Sequence, residues 1–368
     1  MTADFPLCLH RMSLSGRKIV FDCERMKYPH TGLYHFCLQL GHSLLKTNQG
    51  ERLCFYTPPS VGKVFGTGPC YLKQRSLHKV VFPSTRNIGL WHCAHQSSDY
   101  FPADRPVKKV LTIHDLNYLH DGRKTAEKKA DFLTDVQRKI DEADHVAFIS
   151  QFSQNDAKAH LNLAGKETSV IYNGCTITEL PELKPPPFVP AKPFLFTLGT
   201  IVEKKNFHVL PRLLPGNDFL LVIAGVTQSQ AYKEKIEEEA KRLGVQDRVV
   251  FAGPVWENDK QWYLKHCRAF VFPSLAEGFG LPVLEAMYFE KPVLLSTATS
   301  LPEIGGSLAD YFPNFDAGTM QATLNESLHR FELHPDKKAA LRQRALSFSW
   351  DEAAMNYHAV YRGLMDDE

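Results

Sequence analysis

The chain has 368 residues, 43% hydrophobic and 23% charged, and its 43 Lys and Arg nearly balance 41 Asp and Glu for a formal net charge of +2. That length suits two domains rather than one core, and the balance excludes the strongly basic surface of a nucleic-acid-binding domain, so no nucleic-acid partner is expected. No run approaches the roughly 18 consecutive apolar residues of a membrane-crossing helix, and MTADFPLCLHRMSLSG lacks the long apolar region and small-residue cleavage site of a secretory signal, so a cytoplasmic protein is expected.

Short apolar runs alternate with amphipathic stretches, the pattern of parallel strands connected by helices. In the first half the predicted strands are KIVFD, LCFY, KVVFP, VKKVLTIHD, HVAFIS and SVIYN, with helices over GLYHFCLQLGHSLLK and KKADFLTDVQRKIDEA. The prolines of ITELPELKPPPFVPAKP break this rhythm and predict a semi-rigid linker. It resumes with the strands FLFTLG, FLLVIAG, RVVFAG, RAFVFPS and PVLLS. YKEKIEEEAKRLG predicts a solvated helix ended at Gly244, and SWDEAAMNYHAVYRGL a terminal helix capped by Ser349. The expected domains are 1–188, 189–348 and a crossing helix over 349–368. The eight cysteines include no C-x-x-C pair and several stand in apolar runs, so reduced, structural thiols are expected rather than zinc ligands or disulfides.

The most informative segment is RAFVFPSLAEGFGLPVLEAMYFEKPVLLS. A strand runs into a glycine-rich loop, and Pro282 suits the start of a helix. Gly278 and Gly280 would let backbone approach a ligand, and the open amides of the helix start favour a phosphate. Glu277 in the loop and Glu285 in the helix are placed to accept hydrogen bonds from vicinal hydroxyls of a sugar or a ribose. Taken singly, each glutamate reads equally as a solvated charge or as a complement to the helix dipole. In the first half, VLTIHD ends a buried strand with His114 and Asp115 at its carboxyl end, where α/β sites form. His92 and His95 read as loop or acceptor-site residues, since no third ligand completes a metal site.

EGFGLPVLE resembles the E-x7-E motif of glycosyltransferase family 4, retaining enzymes of the GT-B fold: α/β, with two Rossmann-like doubly wound parallel-sheet domains facing a central cleft. The resemblance extends over nearly the whole chain and implies a nucleotide-diphosphate sugar as donor substrate, with no separate cofactor and no metal. It places the donor hexose on Glu277, the ribose on Glu285, and the diphosphate on the backbone around Phe279, Gly280 and Leu281. FLFTLGTIVEKKNFHVL resembles the family's first donor-side strand and loop, bringing in Gly199 and the basic pair Lys204 and Lys205. Thr200 stands where many relatives carry Arg, which leaves either Lys204 to supply the second cation or the diphosphate with one cation fewer. TIHD implies a catalytic His114 beside Glu277 and Lys205. In YPHTGLYHF, Gly32 matches the family's glycine turn, while His30 replaces its first glycine.

The implied reaction moves a hexose to a glycan or lipid-linked acceptor. GDP-mannose is the first expectation for the donor and a UDP-hexose the second. A sugar-nucleotide epimerase and a non-catalytic nucleotide-sugar-binding protein are the alternatives. A dinucleotide-dependent oxidoreductase is disfavoured, because no strand-linked G-x-G-x-x-G is present. Tyr100, Phe101, Arg105, Lys108 and Lys109 form an aromatic and basic stretch suited either to peripheral membrane contact on the inner face or to an ordinary loop.

Overall fold

The computed structural model describes residues 16–29 and 31–366, so the amino-terminal segment and His30 lie outside the described residues. The first half contains β1 (Lys18–Asp22), α1 (Gly32–Lys46), β2 (Leu53–Thr57), β3 (Cys70–Lys73), β4 (Ile88–Cys93), β5 (Lys108–Ile113), α2 (Ala126–Glu142), β6 (His145–Phe148), α3 (Gln151–His160) and β7 (Glu167–Val170). Its strands pair in parallel in the order β3-β2-β1-β4-β5-β6-β7. Every residue of β2 and β6 is buried, which is why these strands read as unbroken apolar runs rather than alternating ones; β4 is equally buried but was not among the predicted strands.

The second half contains β8 (Phe194–Leu198), β9 (Leu220–Ala224), α4 (Gln230–Arg242), β10 (Val249–Gly253), α5 (Glu257–His266), β11 (Ala269–Phe272), α6 (Leu281–Tyr288), β12 (Val293–Ser296), α7 (Leu301–Gly305), β13 (Asp310–Phe312), α8 (Ala317–Leu333) and α9 (Asp336–Leu346). Its parallel sheet has the order β10-β9-β8-β11-β12-β13. In each sheet the chain reverses its direction of winding once, between β1 and β4 and between β8 and β11. Open α/β sheets bind ligands outside the carboxyl ends of strands at such points. The linker over 177–193 has no regular element but is pinned, with Gln261 Oε1 accepting from Leu180 N at 3.1 Å and Tyr263 OH donating to Phe188 O at 2.7 Å.

The last helix, α10 (Trp350–Asp366), returns to the first half and packs on α1 and β4. Asp351 accepts from Ser43 Oγ at 2.9 Å, and His358 Nε2 meets Leu44 O at 3.0 Å. Arg362 reaches the buried Glu51 at 2.8 Å. The two crossings of the chain run side by side: Cys175 N donates to Phe348 O at 2.8 Å, and a Cβ added to Gly174 would lie 2.1 Å from Trp350 N.

Two expectations need correction. KVVFP is not a strand; the third strand is Cys70–Lys73, and Val80 and Val81 stand exposed after a single 3-10 turn over Ser76–Lys79. Nor are all thiols reduced: Cys54 and Cys70, paired in register on β2 and β3 with their Cα atoms 4.4 Å apart, form a disulfide. Register neighbours on adjacent strands are close enough to be bridged, a proximity invisible across the 16 residues that separate them.

Candidate active site

The loop from β11 to α6 is held by hydroxyls from three directions. Leu275 N and Ser274 Oγ donate to Lys204 O at 2.8 and 3.2 Å, and Glu277 N donates to Thr299 Oγ1 at 3.0 Å. Ser300 Oγ bonds the carbonyls of Phe279 and Glu277 at 2.8 and 3.1 Å. Gly280 then takes φ 111°, a left-handed conformation that favours glycine, and ends the loop as the N-cap of α6. Leu281 is the first helical residue and Pro282 the second. Pro282 has no N–H and Val283 N donates to Gly280 O at 2.9 Å, so of the first three helical residues Leu281 alone keeps an amide without an intrahelical partner, with the positive end of the helix dipole behind it.

Two carboxylate–ammonium pairs flank this helix start. Lys205 Nζ lies 2.5 Å from Glu277 Oε1, both side chains being 13% exposed, and sits 4.9 Å over the Phe272 ring. On the other side, Lys260 Nζ bridges Glu285 at 2.7 Å and Glu257 at 2.9 Å. Burial alone would lower the Lys260 ammonium, but Glu285 and Glu257 outweigh it and hold the group charged. The chain passes from β8 through Gly199 to Lys204 and Lys205, and Phe279 turns its side chain into the interior, 4% exposed. Phe279 therefore offers only its backbone to a ligand.

From the first half, His114 and Asp115 stand at the carboxyl end of β5. His114 Nε2 lies 2.9 Å from Ala94 O, an acceptor only, so that nitrogen carries the proton and Nδ1 keeps the lone pair. Burial pushes the His114 imidazole down to about 4, so it is neutral near pH 7. Asp115 orients its own loop by accepting from Asn117 N at 2.9 Å; burial raises its carboxyl and the Lys204 charge opposes that rise. The halves meet here. A Cβ added to Gly278 would lie 2.4 Å from His114 O and 3.1 Å from Asp115 Cβ. Gly278 thus serves the approach of the other half, rather than of a ligand as its sequence suggests. Ser150, the cap of α3, donates to Gly278 O at 2.8 Å, and Glu303 accepts from Gln151 N and Phe152 N at 2.7 and 2.9 Å. The structure therefore brings His114, Lys204, Lys205, Glu277 and the Phe279–Gly280–Leu281 backbone together. Glu285 lies on the Lys260 side of α6, and Gly32 opens α1 with free space around its Cα.

Sequence reasoning passed over the acidic end of β1. Asp22 is 2% exposed, accepts from Ser98 Oγ at 2.6 Å and from Glu24 N at 2.9 Å, and burial pushes its carboxyl up to about 7. Glu24, itself buried, pairs with Arg25 Nε at 3.0 Å and with Lys27. The signal was available, because charged residues directly after a central parallel strand belong to the ligand face. Between about pH 4 and 7 the folded protein retains a proton on Asp22 that the unfolded chain releases, so Asp22 costs stability as pH rises through that window. Asp22→Asn can keep the bond from Glu24 N to its oxygen and donate its amide N–H to Ser98 Oγ, without titrating. Its stability relative to wild type, measured by urea unfolding, is expected to increase with pH by roughly 1.4 kcal/mol per unit across the window; parallel pH profiles would contradict this.

Two further expectations change. His92 lies inside β4 rather than in a loop, fully buried between Tyr361 OH at 2.6 Å and Thr112 Oγ1 at 2.7 Å, and belongs to the seat of α10. His95 follows β4, its ring 5.2 Å from that of His114. Tyr100, Phe101 and Lys109 are core residues, 4%, 7% and 9% exposed, so that stretch offers no aromatic surface to a membrane. No helix of the described residues is long and apolar enough to cross a membrane. Among the described residues, no group of three or more His, Cys, Asp or Glu is placed to hold a metal ion. A cavity of about 260 Å³ lined by Tyr172, Glu303, Arg344 and Phe348 borders the chain crossings rather than the Glu277 loop. Side-chain pairing, not cavity size, marks the site.

Residues 182–345, which include this loop and both carboxylate–ammonium pairs, match the family model described as Glycosyl transferases group 1. Over 94% of its length the chain is 23% identical to O-antigen chain mannosyltransferase B of Escherichia coli, covering 99% of that protein. It is 28% identical over 274 residues to the serotype-specific mannosyltransferase WbdA of Escherichia coli, a match spanning 69% of this chain but 33% of that longer protein. Among solved structures, sucrose-phosphate synthase from Thermosynechococcus elongatus superposes with a TM-score of 0.72 at 18% identity, covering 96% of this chain and 100% of that one. Anabaena HepE in complex with UDP and glucose gives 0.67 at 17%, covering 94% and 100%. Both carry the same two-sheet GT-B architecture.

Proposed function

We propose that this chain, a glycosyltransferase whose residues 182–345 match group 1, transfers mannose from GDP-mannose to a glycan or lipid-linked acceptor with retention of configuration and without a metal. The observation that carries this reading is the Lys205–Glu277 pair at the open start of α6, with His114 against the same loop from the other half. The mannosyltransferase names of the relatives point to the sugar.

In this reading the donor diphosphate lies at the start of α6 against the Gly280–Leu281 backbone, with Lys205 and Lys204 neutralising the charge that grows as it departs. Glu277 exchanges its ammonium partner for hexose hydroxyls, and Glu285, held by Lys260, receives the ribose. His114 Nδ1 accepts from a sugar hydroxyl. The bond from the anomeric carbon to the phosphate oxygen breaks as the bond to the acceptor oxygen forms on the same face. The acceptor proton passes to the departing phosphate. No side chain need form a covalent intermediate, and the protein contributes position, charge and exclusion of water.

A ligand bound only by the folded state raises its melting temperature. GDP-mannose at about 100 times its Kd is expected to add roughly 2.7 kcal/mol of stability, with smaller shifts from UDP-sugars. Transfer to an acceptor saccharide, read by NMR of the new anomeric proton, then reports retention. A larger shift with a UDP-hexose would replace the donor, and no shift with any nucleotide sugar would overturn the reading.

A further inference from the structure

The second half touches the first at the ends of β5 and β6, where Gly278 lies against His114 O and accepts from Ser150 Oγ. In the strand order β1-β4-β5-β6, His95 follows β4 and so stands beyond His114, on the side away from that contact. The winding of the sheet reverses between β1 and β4, and ligands of open α/β sheets bind at such reversals. His95 is partly exposed there, with its ring 5.2 Å from that of His114.

The loop that carries this ring is pinned along its length. Ser97 N donates to His95 Nδ1 at 3.0 Å, and Ser98 N to His95 O at 3.0 Å. The buried Lys139 ammonium donates to Gln96 O at 2.8 Å, and the Arg25 guanidinium donates to Ser97 O. Gln96 ties the loop to β5, accepting from His114 N at 3.0 Å and donating to Asp115 O at 2.6 Å. Ser98 Oγ donates to the Asp22 carboxyl at 2.6 Å. The imidazole is therefore set in place before any ligand arrives.

A backbone amide can only donate, so His95 Nδ1 carries the lone pair and Nε2 the proton. Desolvation, and then His114, Arg25 and Lys139, push this imidazole well below its usual range, so it is neutral near pH 7. Among the described residues nothing accepts from its Nε2–H. His114 has the same tautomer but the opposite end engaged, its Nε2–H on Ala94 O and its Nδ1 lone pair free. Two neutral rings side by side thus offer one acceptor and one donor, which suits two sugar oxygens rather than an anion.

We propose that His95 binds the acceptor saccharide, its Nε2–H donating to an oxygen beside the hydroxyl that attacks the donor sugar. His114 faces the donor loop and His95 the open side of the cleft, so the two rings divide the two sugars between them. This assignment rests on the glycosyl-transfer reading above and adds the residue that holds the second substrate.

The test compares His95→Gln, His95→Asn and His95→Ala, with the methyl α-glycosides of mannose, glucose, galactose and N-acetylglucosamine as acceptors. The Gln amide reaches where Nε2 stood, whereas the Asn side chain replaces only the Nδ1 bond to Ser97. His95→Asn and His95→Ala are expected to raise the acceptor KM about tenfold, the worth of one hydrogen bond, and His95→Gln less than about threefold. The loss should fall on KM rather than kcat, and nucleotide-sugar stabilisation should stay at the wild-type value. A long-range proton–nitrogen NMR spectrum of the ring should show His95 protonated at Nε2. A proton on Nδ1 overturns the proposal. So does rescue by Asn rather than Gln, which would leave the ring only a bond to Ser97, or an acceptor KM unchanged in all three variants. Loss of nucleotide-sugar stabilisation in the variants would move His95 to the donor and overturn it too, as would a donor-bound chain that uses none of the four glycosides. If no nucleotide sugar stabilises the wild-type chain, the donor reading itself falls, a result distinct from all of these.

Discussion

Glu277→Ala is expected to lower kcat by about 10²- to 10³-fold, the scale on which a single preorganised electrostatic contact counts in an active site. The loop itself should survive, because it is fixed by backbone groups: Glu277 N to Thr299, and the Glu277 and Phe279 carbonyls to Ser300. Lys205 loses its partner but keeps its place over Phe272 and its access to the cleft. The stability cost should therefore be near 1–2 kcal/mol, below that of a fully buried ion pair. Glu277→Gln preserves shape and a contact to Lys205, so it isolates the charge. With Lys205→Ala in a double-mutant cycle the losses should fall well short of additive, since each side chain positions the other. Activity falling only as far as the folded fraction would remove Glu277 from the chemistry.

The second large effect is expected from one methyl group. Gly278→Ala places a Cβ 2.4 Å from the His114 carbonyl, a backbone atom fixed at the end of β5 that cannot swing aside. Either the loop distorts or the halves part, and a misplacement of about 1 Å at the reacting centre is enough to cost about 10²-fold in kcat. Donor binding should largely persist, since Lys204, Lys205, Glu277 and Glu285, proposed to hold the nucleotide sugar, lie in the second half and only the His114 contact comes from the first. The expected signature is thus a collapse of kcat with nucleotide-dependent stabilisation largely retained. Gly32→Ala is the control: nothing lies within 4 Å of the added methyl, and Ala suits the first turn of α1. Loss of activity there would report a ligand rather than a clash, and wild-type activity in Gly278→Ala would deny that this contact matters to turnover.

The architecture was legible because buried parallel strands announce themselves as apolar runs, and ten of the thirteen coincide with such runs. The exceptions have physical causes. In KVVFP the β-branched residues suit a strand, yet Val80 and Val81 stand exposed and the edge position went to the more modest CYLK, while the buried β4, IGLWHC, carries Gly89 and His92 within its apolar run. β13, with the sequence DYF, is too short and too polar to stand out. The loop around Glu277 was readable from its glycines and its spacing. Its partners were not: Lys205 lies 72 residues away and Lys260 25 residues from Glu285, distances that only the tertiary fold closes. Ser150 and Glu303 likewise declare their part in joining the halves only in three dimensions.

The return of α10 to the first half bears on how the protein is made. Tyr361 and Tyr357 supply partners for His92 and Thr112, and His358 and Arg362 meet Leu44 and Glu51. Until those residues leave the ribosome, these polar groups of the first half lack the hydrogen bonds that justify their burial. A nascent chain paused just before Trp350 holds every strand of both sheets, yet only the later-synthesised half has all of its helices. The order of completion thus runs opposite to the order of translation, and the amino-terminal half must wait for α10, which follows every strand of both sheets, to seal it.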